Sequence, residues 1–190
     1  MPASTSSSPH TGSRPGGRSA RVRADVHRAV RELLADEAGE PPTIPVVAAR
    51  AGVHPTTVYR RWGSVGELLA DVTGSRFSGG FVVPDTGDLR GDLERYAFNL
   101  AKDLGDPDSL ALIRATIGVA GAQGAAACLG ERRQQLDAIL EREEARGGRP
   151  PTLDHTTDAI IAPVYFRAVF THLPLSPDWT RTLVARLLAD

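Results

Sequence analysis

The sequence predicts an all-α protein, a three-helix head joined to a larger helical bundle. Three observations lead there. Apolar residues recur at helical spacing from Val22 to Leu188, with no strand-like alternation and no internal repeat. Helix-start residues stand just ahead of apolar stripes at Thr43, Ser64, Asp106 and Ser176. A break containing Gly79, Gly80, Pro84 and Gly87 separates two groups of such stripes.

Residues 1–17 are rich in Ser, Pro, Gly and Thr, lack apolar periodicity, and read as a disordered basic arm. The head spans 18–77. Its first helix begins near Ser19, with Val22, Val26, Ala29, Val30, Leu33 and Leu34 on one stripe, and stops before Gly39, Pro41 and Pro42. Thr43 opens a short helix, Ile44 to Ala51, which Gly52 ends. Pro55 fits the first position of a third helix running to Trp62. Ser64 and Glu67 form a capping box for a fourth, reaching about Phe77.

The body spans 85–190. Leu89, Leu93, Tyr96, Ala97, Leu100 and Leu104 line one helix, and Asp106-Pro107 starts a second, apolar nearly all round to Ala120. A third stripe holds Leu129, Leu136, Ile139 and Leu140. An apolar helix from Asp154 to His172 is interrupted by Pro163, which either makes room for a ligand or shapes a subunit seam. Ser176 caps the last helix, with Trp179, Leu183, Leu187 and Leu188 on its stripe.

Composition narrows the function. Hydrophobic residues are 41% and charged residues 24%, a globular balance. The longest uninterrupted apolar run, Ala159 to Phe166, falls short of the roughly 18 residues of a membrane span, and no signal-peptide core follows the N-terminus, so a cytoplasmic location with no membrane partner is expected. The net charge of -1 hides an asymmetry: residues 1–76 hold ten arginines against seven acids, and the remainder 12 basic against 16 acidic residues. A basic front is what a chain meeting phosphates presents.

Two short helices joined by Ala51-Gly52-Val53-His54 meet the needs of a helix-turn-helix. Glycine allows the sharp turn, Val53 plugs the space between helices, and Thr56 and Thr57 put short side chains where the backbone approaches a groove floor. Residues 43–71, TIPVVAARAGVHPTTVYRRWGSVGELLAD, resemble the head of the TetR family, above all in AARAGV, TTVYRRW and the ELL that follows. With the first helix the likeness covers residues 18–72; the body resembles the family in length and general plan.

The resemblance implies a homodimer that binds double-stranded operator DNA and a small-molecule effector, without a cofactor or metal. By motif position it implies that Thr43 touches a phosphate, Thr56 and Thr57 face bases, Tyr59 bonds a phosphate and Arg61 lies at the groove edge. Pro55 stands where a polar side chain often reaches a base, and His54 replaces a Ser-like cap, so it either caps less well or faces DNA. Val65 replaces a basic phosphate contact. Tyr59 reads either as a phosphate contact or as a core aromatic, Arg60 as a solvated residue or a base contact, Arg50 as an acid's partner or a phosphate contact, and Trp62 as core. Arg14, Arg18, Arg21 and Arg23 either touch DNA or stay solvated.

In the body, Phe98, Ile113, Thr116, Ile117, Tyr165, Phe166 and Val169 are candidate lining of an effector pocket, with ordinary core packing as the alternative. Ile160, Val164, Phe170, Leu183, Leu187 and Leu188 are candidates for a four-helix seam between subunits. An enzyme is disfavoured. Cys128 lies in an apolar run that raises a thiol pKa, His155 beside Asp154 and Asp158 is generic spacing, and no glycine-rich phosphate loop or metal-ligand pattern occurs. A helical adaptor would need no arginine-flanked helix-turn-helix.

Overall fold

A computed structural model describes residues 16–36, 41–78 and 82–189. All of the regular structure in these residues is helical. The head comprises α1 (Gly16–Asp36), α2 (Ile44–Ala51), α3 (Pro55–Trp62) and α4 (Val65–Ser78). Helix α1 starts three residues before Ser19, taking in Gly16 and Gly17 of the expected arm; residues 1–15 lie outside the described residues. The predicted stripe is buried: Val26 and Val30 meet Val47, Val58, Trp62, Leu68, Leu69 and Val72 in one core.

A polar clamp adjoins that core. Arg23 on α1 donates to both carboxylate oxygens of Asp71 on α4, Nε to Oδ2 at 3.1 Å and a terminal nitrogen to Oδ1 at 2.6 Å. Trp62 at the end of α3 donates its indole N–H to Oδ2 at 2.8 Å, and His27 Nε2 lies 3.0 Å from the same oxygen. Burial alone would raise the Asp71 carboxyl, but the hydrogen bonds from Arg23, Trp62 and His27 outweigh it and bring the group from 3.8 down to about 2. Burial lowers the His27 imidazole below its ordinary 6.5, with Asp71 offsetting only part of the effect.

The body comprises α5 (Leu89–Gly105), α6 (Pro107–Ala145), α7 (Leu153–Thr156), α8 (Ala162–Phe170) and α9 (Pro177–Leu187). Three side-chain caps start the longer elements: Asp88 accepts from Gly91 N, Asp106 from Ser109 N, and Ser176 from Trp179 N. The two stripes expected around residue 120 belong to one element, α6, broken at Gly121, whose φ of 53° and ψ of -130° suit glycine alone. The helix expected from Asp154 to His172 is divided: a π turn over Thr157–Ile161 separates α7 from α8. Pro163 is the second residue of α8, just after that turn, and the wider turn accommodates the backbone bond that proline cannot donate.

Helix α6 serves both lobes. Leu112 and Ala115 complete the head core, whereas Ile113, Leu136 and Ile139 belong to the body core with Leu93, Tyr96, Leu100, Ile160 and Val184. Thr116 donates its hydroxyl to Leu112 O at 2.7 Å, so across the 2.8 Å contact between Thr73 and Thr116 it is Thr73 that donates. By length and composition α6 could cross a bilayer, which uninterrupted apolar runs did not anticipate, because alanines together with Leu, Ile and Val lift an 18-residue window to a mean hydropathy of 1.3. Its apolar residues enter both cores, and 35% of that window is buried within the chain.

The candidate seam and pocket residues of the body differ in burial. Ile160, Val164, Leu183 and Leu187 are buried in the chain's own core, Leu188 is half-buried and Phe170 is exposed. Each stripe gave the buried face of its helix correctly, but in one chain that face is spent on intramolecular packing. Ile113 and Thr116 are inaccessible to water, Phe98 lines a cleft of about 390 Å³ with Arg95, Pro177 and Thr180, and Phe166 faces outward. Ile117, Tyr165 and Val169 are half-buried against the core.

The Asp71 clamp makes stability fall toward acid. The fold holds Asp71 ionised and His27 neutral, so at acid pH the unfolded chain binds more protons. The loss begins below 6.5 through His27 and steepens from 3.8 down to about 2 as Asp71 protonates. Asp71→Asn is expected to cost about 2 kcal/mol at neutral pH, as charged hydrogen bonds do, and to flatten the steep acid limb. Thermal melts of both proteins across the acid range check this; an identical acid limb in the variant would exclude Asp71 as its source.

Candidate nucleic-acid interface

The turn between α2 and α3 sets the geometry of the candidate site. Gly52 takes the left-handed conformation, φ 67° and ψ 32°, and its N–H closes on Ala49 O at 3.2 Å while Val53 N reaches Ala48 O at 3.0 Å. Val53 is half-buried against the head core, as the plug reading requires. His54 resolves its two readings in part: its Nδ1 accepts from Thr56 N at 3.3 Å, so it caps α3 while its ring stays exposed. Pro55 occupies the first turn, where its missing N–H leaves no gap in the hydrogen bonding.

Helix α3 is eight residues, about 12 Å at the usual rise per residue. A B-DNA major groove is of similar width. Val58 and Trp62 are buried and anchor the inner side. Thr56, Tyr59 and Arg60 are exposed, Thr57 is half-buried at the surface, and Tyr59 has 48% of its area accessible, so it is no core aromatic. Thr43, at the start of α2, makes no capping bond with its side chain and is exposed.

The arginines divide into two groups. Arg23 is held by Asp71, and Arg50 pairs with Asp36 at 3.0 Å and lies 3.7 Å from Glu32. Arg76 pairs with Asp106 at 3.3 Å. In contrast, Arg18, Arg60 and Arg61 line a cleft of about 730 Å³ with Ser19, Val22, Val53, His54 and Thr57. Arg61 donates to Ser19 Oγ at 2.9 Å, and its guanidinium lies 5.2 Å from the centre of the Trp62 indole. The sequence expectations left out Ser19 and Val22 as walls of this cleft. Their only signal was the arginine density of residues 1–31, because a contact spanning 42 positions leaves no local pattern.

The fourth helix starts as expected, with Ser64 Oγ accepting from Glu67 N at 3.2 Å. From there α4 lies along α6. Gly66 approaches Ala120 so closely that a Cβ would stand 3.2 Å from the alanine methyl. At the other end, the Arg132 guanidinium sits 4.5 Å from the centre of the Phe77 ring and donates to Asp103 at 2.7 Å. Cys128 is buried, and burial pushes its thiol up to about 11, far from the reactive range.

Comparison with known proteins agrees with this geometry. The family model for the tetracyclin repressor-like C-terminal domain matches residues 83–187. The HTH-type transcriptional regulator AqdR of Rhodococcus erythropolis is 32% identical over 152 residues, covering 79% of this chain and 72% of its own. An uncharacterized HTH-type transcriptional regulator of Mycobacterium tuberculosis is 29% identical over 162 residues, covering 80% and 78%. Among solved structures, a TetR transcriptional regulator from Agrobacterium tumefaciens superposes with a TM-score of 0.66 at 22% identity, covering 88% of this chain and 92% of that one. A TetR-family regulator from Mesorhizobium loti gives 0.64 at 17%, covering 90% and 97%; at these identities both speak for the fold alone. An exposed recognition helix set by a glycine turn, a matching body and a close regulatory relative together make this chain a member of the TetR family of DNA-binding transcriptional regulators.

Proposed function

We propose that the protein is a cytoplasmic repressor that grips a palindromic operator as a homodimer and lets go when a small-molecule effector enters the body. The observation carrying this reading is the outer face of α3. Its core residues are fully spent on Val58 and Trp62, while Thr56, Tyr59 and Arg60 stand exposed beside Thr57, His54 and Arg61. In this reading Thr56 and Thr57 meet base edges, Pro55 packs against the groove, and Thr43, Tyr59 and Arg61 hold phosphates. Arg60, exposed and without an ion pair among the described residues, supplies longer reach.

The dimer face is assigned to the apolar surface of α8 and the turn after it. Phe166, Phe170 and Leu173 are 61, 75 and 58% exposed, and the two rings touch at 5.6 Å. Such a cluster is costly in water and cheap when covered by its two-fold copy. The effector is assigned to the body near Ile117, Tyr165 and Val169, whose half-burial leaves them within reach of a small expansion. Its signal reaches the head through α4, bound to α6 by Thr73–Thr116 and by Phe77 under Arg132. A coupling of about 1–3 kcal/mol is enough for a switch.

Mobility shift on the upstream intergenic DNA, with nonspecific competitor and at two salt concentrations, tests DNA recognition; addition of a metabolite panel tests release. Thr57→Ala is expected to weaken operator binding by about 1–3 kcal/mol and to relax preference at one base pair, which a single-substitution operator series reads. Tyr59→Phe should weaken all operators alike; a changed base preference would move Tyr59 to the readout set. Phe170→Asp should turn a dimer into a monomer in sedimentation velocity, and a dimer that persists would place the seam elsewhere.

A further inference from the structure

We infer that the first turn of α1 is part of the DNA-binding surface, and that Arg18, with Ser19 presetting Arg61, forms a seat for a backbone phosphate beside the recognition helix. The inference rests on the proposed operator binding and extends it to a segment outside the helix-turn-helix.

The cleft between α1 and α3 brings Arg18, Arg60 and Arg61 together, and no carboxylate is among its lining residues. Three guanidinium groups drawn into one concavity repel one another, an arrangement that an anion relieves. Thr57, the expected base reader, lines the same cleft, so a DNA strand whose bases meet Thr57 carries its phosphates past the cleft mouth. The other arginines of the head with acidic partners, Arg23, Arg28, Arg50 and Arg76, have their charge met within the chain. Arg18 makes no ion pair among the described residues and is exposed.

Ser19 has a separate task. Its hydroxyl accepts from Arg61 at 2.9 Å, while the Trp62 ring supports the same guanidinium from one side at 5.2 Å. Arg61 is thereby held in one orientation before DNA arrives, with its remaining N–H groups available to a phosphate, which a planar guanidinium binds in a fork. An unheld arginine would lose more side-chain freedom on binding. Ser19 acts as a positioning residue for Arg61, and Arg18 as a phosphate contact.

Operator affinity of the full chain measured by fluorescence anisotropy across a salt series decides the matter. Arg18→Ala is expected to weaken operator and nonspecific DNA alike and to reduce the slope of log affinity against log salt by about 0.9 for each bound copy. Arg18→Lys should restore the slope. Ser19→Ala should weaken binding by about 2- to 10-fold, the range of one hydrogen bond, with the slope unchanged. Matching slopes for Arg18→Ala and the parent chain, with equal melting temperatures, would overturn the phosphate seat while leaving operator binding intact. Parent-like affinity in Ser19→Ala would remove the positioning role. Failure of the parent chain to bind any upstream DNA would overturn the functional reading itself.

Discussion

Asp71 draws three helices to one carboxylate. Arg23 and His27 come from α1, Trp62 from α3, and Asp71 itself from α4, so the orientation of the head helices is written in one hydrogen-bonded set. Apolar packing of Val30, Val58 and Leu69 would tolerate small rotations, because hydrophobic attraction has little directionality. Hydrogen bonds do not tolerate them. A recognition helix is useful only if its exposed row keeps a fixed angle to the rest of the head, and the indole of Trp62 ties the end of α3 to that angle.

The clamp also sorts the charges of the head. An arginine already paired with a carboxylate has less charge to offer a phosphate, and Arg23 and Arg50 are so paired. The head's net positive charge therefore overstates how widely its cationic surface is spread. Of the arginines with no ion pair among the described residues, Arg18, Arg60 and Arg61 gather along one edge of α3 and the adjoining turn of α1. The acidic residues of the body, such as Asp85, Asp92 and Asp103, are in turn bound to Arg142, Arg146 and Arg132, which keeps their field local. Asp92 shows how firmly: burial would raise its carboxyl, yet hydrogen bonds from Thr86 and Arg146 bring it below the usual carboxylate range.

The head was legible in the sequence almost residue by residue, because its determinants are local. Gly52, Pro55 and Ser64 each act within four positions of themselves, and the bounds of α2 and α3 fell where those residues put them. Long-range pairing was not legible. Nothing near Arg23 announces Asp71, and nothing near Arg61 announces Ser19. In the body, stripe reasoning found Ile160, Val164, Leu183 and Leu187 as apolar faces but could not tell an internal partner from a second subunit. Phe166 and Phe170, one helical turn apart on a helix already buried on its other side, carried the better signal for an outer face. The break at Gly121 escaped because glycine among alanines reads as helix-compatible filler.

Leu112 and Ala115 have a bearing on how such proteins can diversify. They lie beyond the linker, within the stretch matched as a C-terminal domain, yet they fill the interior of the N-terminal one. A crossover between relatives placed in the linker would marry a head to a foreign α6 and leave mismatched volumes at its base. A cut near the bend at Gly121 would in turn part α5 and Ile113 from Leu136, Ile139 and Ile160, so neither place separates the two cores cleanly. The cooperative unit in this chain is then longer than its helix-turn-helix, because one helix fills both interiors.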